Sequence, residues 1–230
     1  ESTDKEERLG YYEIVESNNE RLLQLINEIL DLSKIESGIV EFTITPVRLH
    51  PLCKEIHDAH IFRCPEGVEL IYEPSDENIV IDGDKNRIFQ VISNLIGNAF
   101  KFTTTGHISY GYRREGKYVA FHVTDTGMGI APDKVDRVFE RFVKVNNFAQ
   151  GTGLGLSICK TIIERLGGNI SVTSELGKGT TFTFVLPLES ASKTEAEKKE
   201  EDNQETTAET HSTEQRSKNA APGASPKNEE

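Results

Sequence analysis

Apolar residues recur along the first forty positions with a helical period. Val15, Leu22 and Ile29 are spaced by sevens, Leu25 and Leu32 form a second row, and Leu23, Ile26 and Leu30 widen the face. This pattern predicts one amphipathic helix over Tyr11–Ser37, ended by Gly38. Its apolar face is wider than a two-stranded seam requires, so a helical-bundle partner is expected, with packing on the following domain as the alternative. Further along, Ile39–Thr45 alternates as a half-buried strand does, and Leu49 to Phe62 reads as a helix stopped by Pro65. Val68–Tyr72 and Ile79–Ile81 are short strands. Asp84 can cap a strong helix reaching Phe102. His107–Arg114 and Lys117–Asp125 pair as a hairpin across Glu115-Gly116. A glycine-rich stretch precedes a helix from about Gly153 to Leu166, and strands follow at Asn169–Ser174 and Thr180–Leu186. Antiparallel strand pairs with interspersed helices predict an α+β fold, a two-layer α/β sandwich rather than a doubly wound sheet.

The pattern stops at Glu189. From there to Glu230 the chain contains no Val, Ile, Leu, Met, Phe, Tyr, Trp or Cys. Such a segment cannot bury enough apolar surface to offset about 1–2 kcal/mol of backbone ordering per residue, so a disordered acidic tail is expected. Three segments result: 1–38, a single long helix; 39–188, the α/β domain; and 189–230, the tail. The net charge of −12 disfavours binding to polyanions such as nucleic acid. No apolar run approaches the roughly 20 residues of a membrane helix, and no secretory signal opens the chain. The three cysteines, Cys53, Cys64 and Cys159, lack CxxC spacing and are expected to be reduced thiols in a cytoplasmic protein. Because the sequence begins at Glu1, it is expected to be a piece of a longer protein.

Three stretches carry chemistry. Asn94, Asn98 and Lys101 stand at i, i+4 and i+7 and so project from one helix face. Two amides and an ammonium in a row suit a metal–phosphate ligand, although a solvated polar face would read the same way. Asp125-Thr-Gly127-Met-Gly129-Ile130 follows a strand. A carboxylate there can accept from an exocyclic amine, with glycines that let the backbone approach a ligand; alone, the motif suits a structural turn equally. Gly151-Thr152-Gly153-Leu154-Gly155 opens a helix, where N–H groups and the helix dipole favour anions. It is neither a Walker loop nor a GxGxxG turn.

In this order, the motifs resemble those of the sensor histidine kinases of two-component systems, within the GHKL superfamily. Asn94–Thr103 is similar to their N box, Asp125–Ile130 to the first glycine box, Phe139-Glu-Arg-Phe142 to the F box and Gly151–Ile158 to the second glycine box. The resemblance covers about residues 39–188. It implies a Bergerat-type sandwich that binds ATP and Mg²⁺. Asn98 would ligate the metal, with Asn94 as a second candidate that also holds the phosphates. Lys101 would meet phosphate oxygens, Asn94 and Lys101 being the catalytic candidates. Phe102, Ile130 and Phe139 would contribute to the adenine pocket, and Asp125 would take the adenine amine, with Gly127 and Gly129 shaping the turn. Gly151, Thr152, Gly153, Leu154 and Gly155 would anchor a short lid. Lys144 would reach the γ-phosphate or else remain solvated.

Hydrolytic relatives place a glutamate base where this chain has Asn94, and an amide cannot take a proton from water. The resemblance therefore favours phosphoryl transfer, to a histidine and then to the receiver domain of a response regulator. Leu22–Glu36 resembles the second helix of the family's dimerisation bundle, so homodimerisation of the parent is expected. The first helix, with the phosphoacceptor histidine, is not found: none of His50, His57, His60, His107, His122 and His211 has the expected context. The localisation implied is cytoplasmic, with a parent that could be anchored in the inner membrane. A catalytically silent nucleotide-binding module and a GHKL ATPase stand as the alternatives.

Overall fold

The computed structural model describes residues 2–38, 41–75, 78–143 and 152–188. The expected tail, Lys144 and Gly151 lie outside these, as does the start of the strand expected at 39–45. The chain opens with α1 (Ser2–Glu36), followed by β1 (Thr45–Arg48), α2 (Leu49–His60) and a 3₁₀ turn over Ile61–Arg63. Then come β2 (Val68–Glu73), β3 (Val80–Gly83), α3 (Lys85–Phe102), β4 (Gly106–Glu115) and β5 (Tyr118–Asp125). The short α4 (Pro132–Val135), α5 (Gly155–Arg165), β6 (Asn169–Glu175) and β7 (Gly179–Pro187) complete the order.

Five strands form one sheet in the order β2-β4-β5-β7-β6, while β1 and β3 pair separately. The hairpin β4–β5 and the pairs β5–β7 and β6–β7 are antiparallel, but β2 and β4 run parallel. That parallel pair corrects the expectation of antiparallel pairing throughout. The chain between β2 and β4 includes the whole of α3, long enough for a crossover connection. The first strand is also displaced from its expected place: residues 41–44 are irregular and pairing begins at Thr45, opposite Gly83. Alternation marked the segment, but only a partner strand decides where a ladder starts.

Register places one apolar row after another across the core face of the sheet. Tyr112, Phe121, Phe184 and Ile170 are neighbours in one row, and Tyr72, Tyr110, Val123, Phe182 and Val172 in the next. Phe121 and Phe184 stack at 4.5 Å between centroids, both buried. Against the sheet lie α2, α3 and α5 through Ile56, Ile88, Ile92, Leu95, Ile158 and Ile162. The opposite side of β5 carries His122 and Thr124, facing Thr183 and Thr181. His122 bonds Glu73 at 3.0 Å, a contact between β5 and β2.

Asp84 is the N-cap of α3 and does more than cap. Its Oδ1 accepts from the N–H groups of Asn86 and Arg87, and its Oδ2 from that of Thr43. His57 and His60 stand one turn apart on α2 but engage separate partners. His57 stacks on Tyr110 and His60 bonds the carbonyl of Ile56; no group of three His, Cys, Asp or Glu among the described residues could hold a cation. All three cysteines are free, and burial pushes the thiols of Cys53 and Cys159 up to about 12. The C-terminal end of α1 joins the core through buried Leu32 and Ile35, with half-buried Leu25 packed against it, while Arg165 donates to the carbonyl of Ile35 at 2.6 Å. Upstream, Val15, Leu22, Leu23, Ile26, Ile29 and Leu30 are exposed. No described helix is long and apolar enough to cross a membrane.

Two stability predictions follow from this packing. Asp84→Ala is expected to cost about 2 kcal/mol in urea unfolding, since the cap and the Thr43 anchor are lost together. Phe184→Ala is expected to cost about 3–5 kcal/mol by the same measurement, because a rigid sheet cannot close around the void.

Candidate nucleotide site

The row of core-facing positions that continues Leu70 and Ile108 ends in Asp125 and Thr180, so the last residue of β5 presents a carboxylate where apolar side chains belong. Asp125 is 7% exposed, with Oδ1 accepting from the Gly127 N–H at 2.8 Å. Burial raises its pKa, and the N–H groups of Gly127 and Thr180 partly offset that rise. A carboxylate oxygen can accept more than one hydrogen bond, so this buried group is suited to a further donor arriving from the cleft.

Above it the first glycine stretch is strapped between two elements. The Met128 N–H bonds the carbonyl of Phe102, that of Ile130 bonds Ser174 Oγ, and the Met128 carbonyl accepts from Gly177 at 2.7 Å. Gly129 adopts φ +68°, and a Cβ there would lie 2.1 Å from the Glu175 carbonyl oxygen, so no side chain fits.

Along α3, Asn94, Asn98, Lys101 and Phe102 line the same cleft as Asp125. Lys101 Nζ lies 5.3 Å from the Phe102 ring centroid, close enough for a cation–π contact. Asn94 Nδ2 donates to the carbonyl of Gly155 at 2.9 Å, which ties α3 to the first turn of α5. A Cβ on Gly155 would fall 2.7 Å from Asn94 Oδ1, so the glycine is what lets the two helices meet. The amide oxygens of Asn94 and Asn98 suit a hard cation already carrying phosphate oxygens, because the cleft presents few anionic groups of its own.

The cleft has a volume of about 870 Å³. Asp125, Gly129 and Ile130 line it, as do Thr152, Gly153 and Gly155. Gly127 supports the turn from behind. Two expected residues stand elsewhere. Phe139 packs edge-on against Phe182 at 6.2 Å, and Leu154 is fully buried beneath α5, each drawn into the core by its apolar side chain. Val138, Phe142 and Val143 line the cleft where Phe139 was expected. Phe142 has φ +61°, uncommon for a residue with a side chain, and its N–H bonds the Gly153 carbonyl at 2.9 Å.

The sequence reading missed one wall altogether. Asn18, Leu22, Gln24, Leu25 and Glu28 of α1 also line the cleft. Glu28 accepts a hydrogen bond from Thr152 Oγ1 and from Gln24. Nothing local marks these residues, since the helical period of α1 is equally satisfied by a bundle. Thr180 was missed too, although its pairing opposite Asp125 could have been deduced from the register of β5 and β7.

Residues 83–190 match the family described as histidine kinase-, DNA gyrase B- and HSP90-like ATPases. The sensor histidine kinase RcsC of Escherichia coli (strain K12) is 42% identical over 177 residues, covering 73% of this chain but 18% of RcsC. The chain thus spans under a fifth of that relative's length. Among solved structures, full-length ShkA in complex with AMPPNP superposes with a TM-score of 0.71 at 32% identity, over 80% of this chain and 40% of ShkA. The nucleotide-free catalytic domain of the histidine kinase ThkA superposes at 0.58 with 30% identity, over 65% of this chain and 97% of that domain. ThkA in complex with the response regulator protein TrrA superposes at 0.64 with 27% identity, over 77% of this chain and 50% of that one. With the buried carboxylate, the amide helix and the glycine-opened α5 in one cleft, the chain belongs to the sensor histidine kinases and represents their ATP-binding catalytic domain.

Proposed function

We propose that this cleft binds Mg-ATP and transfers its γ-phosphoryl group to a histidine on a helical bundle, from which a response regulator aspartate takes it. The observation that carries this reading is the convergence of Asp125, Asn98 and Lys101 on a single cavity. Asp125 accepts a hydrogen bond from the adenine amine, with Phe102 and Ile130 beside the ring. Asn98 supplies an amide oxygen to Mg²⁺, which neutralises charge on the phosphates. Lys101 meets phosphate oxygens directly. Asn94 holds α5 in place and so sets the distance between the phosphate loop and α3. Thr152, Gly153 and Gly155 offer main chain to the phosphates.

In the transfer, the bond from the γ-phosphorus to the bridging oxygen breaks as the imidazole nitrogen bonds to phosphorus. ADP departs, and the N–H proton of the phosphorylated imidazolium passes to solvent. A neutral amide at position 94 offers no base for water, which favours transfer over hydrolysis. Residues 1–38 are a partial bundle helix whose exposed apolar face would pair with a second copy in the parent, and 39–188 are the catalytic domain. The place of action is the cytoplasmic side, with any membrane anchor elsewhere in the parent.

Asp125→Asn is expected to weaken Mg-ATP binding by about 1–3 kcal/mol in calorimetric titration, because a charge-assisted hydrogen bond is lost. The same variant is expected to melt higher than the wild type near neutral pH. Burial raises the folded carboxyl's pKa, so ionisation at neutral pH opposes folding, and stability falls as pH rises from the unfolded to the folded pKa. The difference in melting temperature should close as pH drops below about 4, where the unfolded carboxyl is also protonated. For Asn98→Ala, ATP titrated with Mg²⁺ and again with EDTA is expected to show most of the metal-dependent gain in affinity gone. Unchanged metal dependence would remove Asn98 from the metal's ligands.

A further inference from the structure

Next to the nucleotide cleft along α3 lies a second cavity, of about 500 Å³, lined by His60, Arg63, Ser93, Asn94, Gly97, Phe100 and Lys101. Ser93, Asn94, Gly97 and Lys101 also line the nucleotide cleft, so the two cavities share one wall. We infer that this cavity and the exposed Phe62 beside it form a docking site for an acidic segment of the protein that carries the phosphoryl acceptor. The inference rests on the nucleotide-site reading above and adds to it how the partner is recognised.

Charge is the first reason. The lining holds an arginine, a lysine and a histidine and no Asp or Glu, in a chain whose net charge is −12. An acidic partner is repelled by most of this surface and attracted here. Arg63 is exposed and makes no ion pair or hydrogen bond with any other described residue. His60 holds its ring through Nδ1, bonded to the Ile56 carbonyl at 2.9 Å, which leaves Nε2 for another partner.

Shape is the second. Phe62, next to Arg63 in the 3₁₀ turn that follows α2, is 94% exposed, and Ile61 is 38% exposed. A small anion has no use for a solvated phenyl ring, whereas a protein partner buries it; aromatic residues and arginine together are the usual anchors of such contacts. Gly97 is the third. It sits within α3, where glycine weakens a helix, yet a Cβ there would meet nothing within 4 Å. Packing does not require the glycine, and its absence of side chain keeps the shared wall low between the cavity and the place where Asn94 and Lys101 meet the phosphates. A segment seated on Arg63 and Phe62 would therefore present a neighbouring side chain to that place.

The test uses the full chain and a histidine-bearing two-helix bundle made in two forms, one with acidic residues around the histidine and one with those residues changed to glutamine. Binding is measured by calorimetry with the chain loaded with Mg-AMPPNP, and transfer with Mg-ATP. Arg63→Glu is expected to weaken binding of the acidic bundle about tenfold or more and to raise its KM with little change in kcat. Phe62→Ser should weaken binding similarly, Arg63→Lys should restore most of it, and Mg-ATP affinity should stay within about twofold throughout, since neither residue lines the nucleotide cleft. Equal affinity of wild type and Arg63→Glu for the acidic bundle overturns the inference, as does an equal loss for the glutamine form or no measurable binding of either form to wild type. Loss of inorganic phosphate binding in Arg63→Glu with bundle binding intact would make the cavity a small-anion site, and also overturns it. If wild type binds the acidic bundle in this charge-dependent way but transfers nothing, docking stands and the kinase reading fails.

Discussion

Everything at the nucleotide cleft depends on how closely α5 approaches α3. The amide of Asn94 bonds the carbonyl of Gly155 at 2.9 Å, and a single methyl at position 155 would collide with that amide. The first turn of α5, with its unpaired N–H groups, is thereby held against the helix that carries Asn98 and Lys101. The amides of α3 and the main chain that opens α5 then line one cleft. Without this approach, each half would be an unremarkable polar surface.

The rest of the fold serves to fix the other end of the ligand. Apolar rows running across β2, β4, β5, β7 and β6 make the sheet rigid, and the row that ends in Asp125 places one carboxylate inside it. Burial that opposes ionisation of Asp125 is a cost in stability kept at the point of recognition, and a donor from a ligand relieves it. The Gly127 N–H aims the carboxylate, while the bonds from Met128 to Phe102 and from Ile130 to Ser174 hold the turn between α3 and β6. On the proposed reading, recognition of the base and neutralisation of the phosphates would be set by different elements that share one core.

The long first helix belongs to both worlds. Its last turns are part of the core through Leu32 and Ile35, its middle walls the cleft through Leu22, Leu25 and Glu28, and much of its apolar surface remains open. Hydrogen bonds at two levels, Thr152 to Glu28 and Arg165 to the Ile35 carbonyl, tie it to both ends of α5. A shift of α1 would thus be felt at the base of the phosphate loop.

The chain's own residues determined a good deal. Periodicities of two and of 3.6 identified nearly every strand and helix, because burial of one face is a local property of the pattern. Asp84, Gly38 and Gly116 punctuated it for local reasons. The three chemical stretches were also legible, since Asn94, Asn98 and Lys101 share a helix face by spacing alone. What the sequence left open was everything that needs two distant segments to meet. The parallel β2–β4 pair, the start of β1 at Thr45 and the turning of Phe139 and Leu154 into the core follow from the partners those residues find. Likewise the wall contributed by α1 and the clasp between Asn94 and Gly155 span separations of 61 residues or more, over which no periodicity speaks. A one-dimensional pattern records which face is buried; only the packed chain decides against what.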